Sequence, residues 1–72
     1  MKEKHKIVVF CNGNEQFTCN MPFIPKIGHK MYIYVKDKDD GTLLREVVEV
    51  KGILYEFDEN NRFKHIEVEC EY

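Results

Sequence analysis

An Asn12-Gly13 pair sits between two runs suited to extended backbone, Lys6 to Cys11 (KIVVFC) and Glu15 to Cys19 (EQFTC). The first run is rich in the β-branched and aromatic residues that pack well on a pleated surface. Asn-Gly tolerates positive φ at both central positions of a type I′ turn, so this stretch predicts a β-hairpin with a two-residue loop. Such a loop predicts that Cys11 faces Asn14, Phe10 faces Glu15, Val8 faces Phe17 and Cys19 faces Lys6. One face of the hairpin then carries Val8, Phe10, Phe17 and Cys19, and the other carries Ile7 and Val9. A first strand that is apolar on both faces has to be covered twice, by barrel closure or by a second copy of the chain.

The rest of the chain also reads as β. Asn20 to Lys30 (NMPFIPKIGHK) holds two prolines and a glycine and is a loop, although an apolar one, with Met21, Phe23, Ile24 and Ile27. Met31 to Lys36 (MYIYVK) alternates as a strand does, and Asp37-Lys38-Asp39-Asp40-Gly41 is a turn cluster. Thr42 to Phe57 (TLLREVVEVKGILYEF) admits two readings. Leu43, Val47, Val50 and Leu54 fall at helical spacing. The valines, Ile53, Tyr55 and Phe57 favour a strand, and Gly52 weakens a helix. We read a long bent strand: Leu44, Val48 and Val50 share one parity and Ile53, Tyr55 and Phe57 the other, so a bulge is expected at Gly52. Glu46 fits the inward parity poorly. After a loop at Asp58-Glu59-Asn60-Asn61, the segment Arg62 to Tyr72 (RFKHIEVECEY) points Ile66, Val68, Cys70 and Tyr72 one way and Glu67, Glu69 and Glu71 the other.

No helix is required. The expected fold is all-β: one small domain over residues 1–72, a single five-stranded, strongly bent antiparallel sheet that curls to limit its exposed edges. The segment Pro25-Lys26-Ile27-Gly28-His29-Lys30-Met31-Tyr32-Ile33 resembles the P-x-x-G-[Asp/Glu]-x-hydrophobic lead-in to a strand in bacterial SH3-like small barrels, with His29 in place of the acid. The resemblance implies an SH3-like β-barrel whose first and last strands lie side by side. In that arrangement Lys4 and Lys6 would stand beside Glu67, Glu69 and Glu71, an attractive cross-strand match.

Size and charge narrow the function. A chain of 72 residues buries only about 60–65% of the surface its unfolded form exposes, which leaves little room for a deep water-excluding pocket. A net charge of −2 lacks the global basic footprint of a nucleic-acid binder. Three cysteines, Cys11, Cys19 and Cys70, form neither an even disulfide set nor a CxxC pair, and reduced thiols in the cytoplasm are the simpler expectation. The apolar run after the basic start Met1 to Lys6 is too short for a membrane span.

Two surfaces could bind a partner. Lys30, Tyr32, Tyr34, Lys36 and Lys38 share one parity, and exposed rings flanked by lysines are what single-stranded nucleic-acid binders use. The plain alternative is a solvated face in which Tyr34 stands beside Arg45 and Lys30 beside Glu49, with Asp37, Asp39 and Asp40 repelling phosphate. The second surface is the loop at Pro22, Phe23, Ile24 and Pro25, which offers an aromatic anchor to a protein partner if exposed. If buried, Phe23, Ile24 and Ile27 plug one end of the barrel. His5, His29, His65 and the cysteines have none of the usual zinc spacings, and nothing places a base beside a thiol. The expected function is therefore a non-enzymatic protein-interaction or accessory module without cofactor or metal. Its partner is another protein or a second copy of the chain, with single-stranded nucleic acid as the alternative.

Overall fold

The structure, a computed structural model, describes residues 4–72; Met1, Lys2 and Glu3 of the basic start lie outside the described residues. Five strands follow in chain order: β1 (His5–Cys11), β2 (Asn14–Met21), β3 (Lys30–Lys36), β4 (Leu43–Phe57) and β5 (Phe63–Glu71). They form one sheet in the order β2-β1-β5-β4-β3, curled into a half-barrel. Within the segment 42–57, Leu43–Phe57 form a strand and not a helix. No helix of the described residues is long and apolar enough to cross a membrane.

The sheet is mixed, which corrects the expectation of a purely antiparallel one. β1 and β5 lie side by side as the resemblance implied, but they run parallel, with Ile7 opposite Ile66, Val9 opposite Val68 and Cys11 opposite Cys70. The reason is topological. Each of the four connections from β1 to β5 reverses the chain, including the loop from β2 to β3 that joins the two sheet edges, and four reversals leave β5 running in the same sense as β1. The expected charge match fails for the same reason: Glu67 stands opposite Val8 and Glu69 opposite Phe10, so Lys4 and Lys6 are out of register with the acidic row.

The Asn12-Gly13 turn forms with φ of 50° and 86°, and Cys11 faces Asn14 and Phe10 faces Glu15 as expected. Beyond that pair a bulge at Gln16 shifts the ladder, so Phe17 faces Val9, Thr18 faces Val8 and Cys19 faces Ile7. The expected pairs Val8–Phe17 and Lys6–Cys19 are thus corrected by one position. Without the shift, Phe17 and Cys19 would lie on the face opposite Ile7 and Val9, and every later side chain of β2 would follow them. The bulge brings the apolar residues of both strands onto one side.

That side is the core: Ile7, Val9, Cys11, Ile33, Val48, Val50, Ile66, Val68 and Cys70 are buried, with Phe17, Cys19, Met21, Ile24, Met31, Val35 and Ile53 packed around them. The second face of β1 is also covered, since Val8 is 6% exposed and Phe10 half-buried. The flanking side chains of Thr18 and Glu67, directly opposite Val8 on the neighbouring strands, are placed to shield it.

β4 is shared between two ladders. Residues 43–49 pair with β3 and residues 49–57 with β5. At the join Val50 faces Cys70 and Gly52 faces Glu69, leaving Lys51 as an inserted residue. The bulge expected at Gly52 is there, and it returns Ile53 to the core side opposite Val68. Because the two ladders leave β4 in opposite directions, two hairpin arms extend past the common core, and the molecule measures 42 × 25 × 24 Å. Glu46 finds its explanation here. It faces Ile33 on the β3–β4 arm, beyond the Glu49–Glu71 pair where β5 ends, and is only half-buried. Tyr72, expected inward, lies past the end of β5 and is 58% exposed.

The turn makes a testable demand. A Cβ on Gly13 would meet nothing within 4 Å, so the only penalty of Gly13→Ala is the positive φ, about 1–2 kcal/mol. A Cβ on Gly52 would come within 3.1 Å of the mobile carboxylate end of Glu69, at an ordinary φ. Urea unfolding should show the larger loss for Gly13→Ala; equal losses would refute this account of the turn.

Candidate interaction surfaces

The loop between β2 and β3 is held at its far end by backbone bonds. His29 N–H donates to the Lys26 carbonyl at 3.0 Å, with Gly28 at φ 94°, the pattern of a type II turn whose third position favours glycine. Gly28 N–H donates to the Val50 carbonyl at 2.9 Å and Val50 N–H to the His29 carbonyl at 2.8 Å, so the turn is clamped onto β4 beside its bulge. The Lys26 N–H also donates to His29 Nδ1 at 3.3 Å. This gives the P-x-x-G pattern a local physical reason, and His29 a local role.

The four residues of the expected partner loop divide. Pro25 is buried and Ile24 packs against the core, whereas Pro22 is exposed and Phe23 is 65% exposed. Ile27, at the second position of the turn, is 67% exposed. The expected plug of Phe23, Ile24 and Ile27 is thereby corrected: only Ile24 packs against the core, with Pro25 buried beside it in the chain, while Phe23 and Ile27 face out.

On β3, Lys30, Tyr32, Tyr34 and Lys36 do share the exposed face. Lys30 stands opposite Glu49 and Tyr34 opposite Arg45, the pairing anticipated for a solvated face. The Arg45 guanidinium lies 3.9 Å from the centre of the Tyr32 ring, so one π-face of Tyr32 already carries a cation. Lys38 does not join the strip, because β3 ends at Lys36 and Lys38 belongs to the following turn. That turn is built by carboxylates: Asp39 N–H donates to Asp37 Oδ1 at 2.8 Å, and Thr42 donates to Asp40 Oδ1 from N at 2.9 Å and from Oγ1 at 2.7 Å. These Thr42 bonds hold the Asp40 carboxyl below its ordinary pKa, keeping negative charge beside Lys38.

Two features were not legible beforehand. Tyr55, Phe57 and Phe63 are each about half exposed on the β4–β5 arm, and the rings of Phe57 and Phe63 meet edge to face at 5.8 Å. The alternation of Tyr55 and Phe57 reads as core; the ladder to β1, which runs from Ile66 to Cys70, leaves this arm without a third strand. On the convex side, a groove of about 460 Å³ is lined by Phe10, Asn12, Gly13, Lys51 and the acidic row Glu67, Glu69 and Glu71. Glu49 and Glu71 stand directly opposite, and the bulged Lys51 relieves their repulsion, its Nζ 2.9 Å from Glu49 Oε2. The Lys51 ammonium pulls the Glu49 carboxyl below its usual range. His65 Nε2 and Glu67 Oε2 approach to 3.1 Å nearby. Among the described residues no three His, Cys, Asp or Glu side chains group to hold a metal ion.

The thiols are suppressed. Burial, then the neighbouring Cys11, pushes Cys70 up to about 11, and burial also raises Cys11 and Cys19. Above a pH of about 9 the unfolded chain releases a Cys70 proton that the folded chain keeps, so stability should fall as pH rises from about 9 to about 11. Urea midpoints across that window should drop more for the wild type than for Cys70→Val; parallel profiles would show that Cys70 does not contribute. No protein-family model matches the chain, and neither a curated protein nor a solved structure does so.

Proposed function

We propose that the chain is a non-enzymatic protein-interaction module that engages its partner through the loop at Pro22 to Pro25, with Phe23 as the anchor. The observation that carries this reading is the division of the loop: Phe23 is 65% exposed while Ile24 packs on the core and Pro25 is buried. Aromatic rings are enriched at the cores of interfaces, and covering one recovers the cost of its exposed apolar surface. The inward pair and the Val50 clamp pre-order the loop, which lowers the entropy lost on binding. The P-x-x-G turn supports kinship with SH3-like bacterial accessory barrels, with the curled half-barrel as a more open version. The odd cysteine count supports a cytoplasmic setting.

A second reading, single-stranded nucleic acid bound along Lys30, Tyr32, Tyr34 and Lys36, is favoured by the exposure of both rings, 66% for Tyr32 and 62% for Tyr34. Arg45 on Tyr32 and the aspartates around Lys38 weigh against it. A low-salt titration with labelled oligonucleotides separates the two readings. Salt-sensitive binding lost in Tyr32→Ala/Tyr34→Ala would establish the second, and no binding would remove it.

For the first reading, the test is capture from native lysate followed by mass spectrometry. Phe23→Ala should abolish the capture of specific proteins while leaving the melting temperature unchanged. Ile24→Ala should instead destabilise the domain by about 1–2 kcal/mol, below the range of about 2–5 kcal/mol for truncating a fully buried aliphatic side chain, since Ile24 is half-buried. If Phe23→Ala retains every captured partner, the loop is not the binding surface. Sedimentation of the wild type shows whether the partner is a second copy.

A further inference from the structure

We propose that Cys11 and Cys70 form an oxidation-sensitive dithiol site, closed to an intramolecular disulfide by a low-molecular-weight disulfide such as oxidised glutathione. The two residues are direct neighbours in the parallel ladder of β1 and β5. Neighbouring strands lie about 4.7–4.9 Å apart, inside the usual Cα separation of about 4.4–6.8 Å for a disulfide. Opposed residues of a ladder share a face, and both of these belong to the buried core, 1% and 2% exposed. Cys19 is placed differently: it stands opposite Ile7, four positions along β1 from Cys11, or roughly 13 Å away at the rise of a strand.

Exchange with oxidised glutathione runs in two steps, and burial raises both thiols above their ordinary pKa, Cys70 to about 11. Cys11 is the last residue of β1 and Cys70 stands one residue from the end of β5, so the attack requires only a local opening at this end of the ladder, where Asn12 N–H donates to the Cys70 carbonyl at 3.0 Å. The Cys11 thiolate, having released its proton, attacks one sulfur of oxidised glutathione. The glutathione S–S bond breaks, and one glutathione thiolate leaves and takes up a proton. The deprotonated Cys70 then attacks the Cys11 sulfur of the mixed disulfide, and the second glutathione departs in the same way. The protein dithiol gives up two electrons and two protons; one oxidised glutathione becomes two reduced molecules. The product ties the end of the β1–β2 hairpin to β5 and closes a loop over residues 11–70. A crosslink across so long a loop removes unfolded-state entropy and should raise the unfolding midpoint.

The experiment exposes the reduced, folded protein to a series of oxidised-to-reduced glutathione ratios. Free thiols are then trapped with N-ethylmaleimide, and disulfide-linked peptides are mapped. The expected product has lost two hydrogen masses, carries a Cys11–Cys70 link with Cys19 alkylated, and unfolds at a higher temperature than the reduced form. Cys19→Ser, which leaves the paired thiols in place, should form the link to the same extent. Cys70→Ser should stop at a mixed disulfide. The proposal is overturned if Cys11 and Cys70 stay alkylatable at every ratio in the folded wild type and in Cys19→Ser. It is equally overturned if the link includes Cys19 or arises only after denaturant is added.

Discussion

The fold depends on Val50 and the residue inserted after it. Val50 is fully buried and bonds through its backbone to His29 and Gly28, while it faces Cys70 across the β4–β5 ladder. Immediately beyond it, the bulge at Lys51 lets one strand serve two ladders without turning its apolar residues out. Without that extra residue, Ile53 would leave the core face, because side chains alternate strictly along a strand. Gly52 permits the close passage, with the carboxylate of Glu69 lying where a larger side chain would extend. Lys51 itself is directed at the acidic residues of the convex face, where it offsets the opposition of Glu49 and Glu71.

From that join follow the surfaces. A strand shared end to end carries a hairpin arm in each direction, and each arm has fewer neighbours than the centre. Tyr32, Tyr34, Leu43 and Val47 are left open on one arm, and Tyr55, Phe57 and Phe63 on the other. The loop from β2 to β3 brings Ile24 and Pro25 to the core and is fastened beside Val50. Phe23 is displayed while the two residues that follow it, Ile24 and Pro25, are turned inward. The binding reading and the packing of the core therefore rest on the same few residues.

Much of the fold could be read in the chain because it depends on local backbone chemistry. Asn12-Gly13 requires the positive φ of a tight hairpin, Gly28 that of the turn before β3, and the change of parity at Gly52 a bulge. The pairing of Tyr34 with Arg45 and Lys30 with Glu49 follows from alternation across a single hairpin. The bulge at Gln16 gave no such sign. It is selected by the match of Phe17 and Cys19 to the face of Ile7 and Val9, and a polar residue absorbed it without glycine. The direction of β5 against β1 was equally silent, since alternation is the same whichever way a neighbouring strand runs.

The candidate surfaces divide along the same line. Sequence by itself determined that the chain is β, where its turns fall, and which residues carry apolar or charged side chains. It also placed Lys30, Tyr32, Tyr34 and Lys36 on one side of a strand. Tertiary structure decided which apolar groups stay in water, because exposure is set by how many strands flank a position. Tyr55 and Phe57 alternate like core residues yet stand half exposed, since β1 does not reach them. Cys11 and Cys70, far apart in the chain and unremarked by spacing, meet for the same reason: parallel pairing of the first and last strands is a long-range choice that no local pattern encodes.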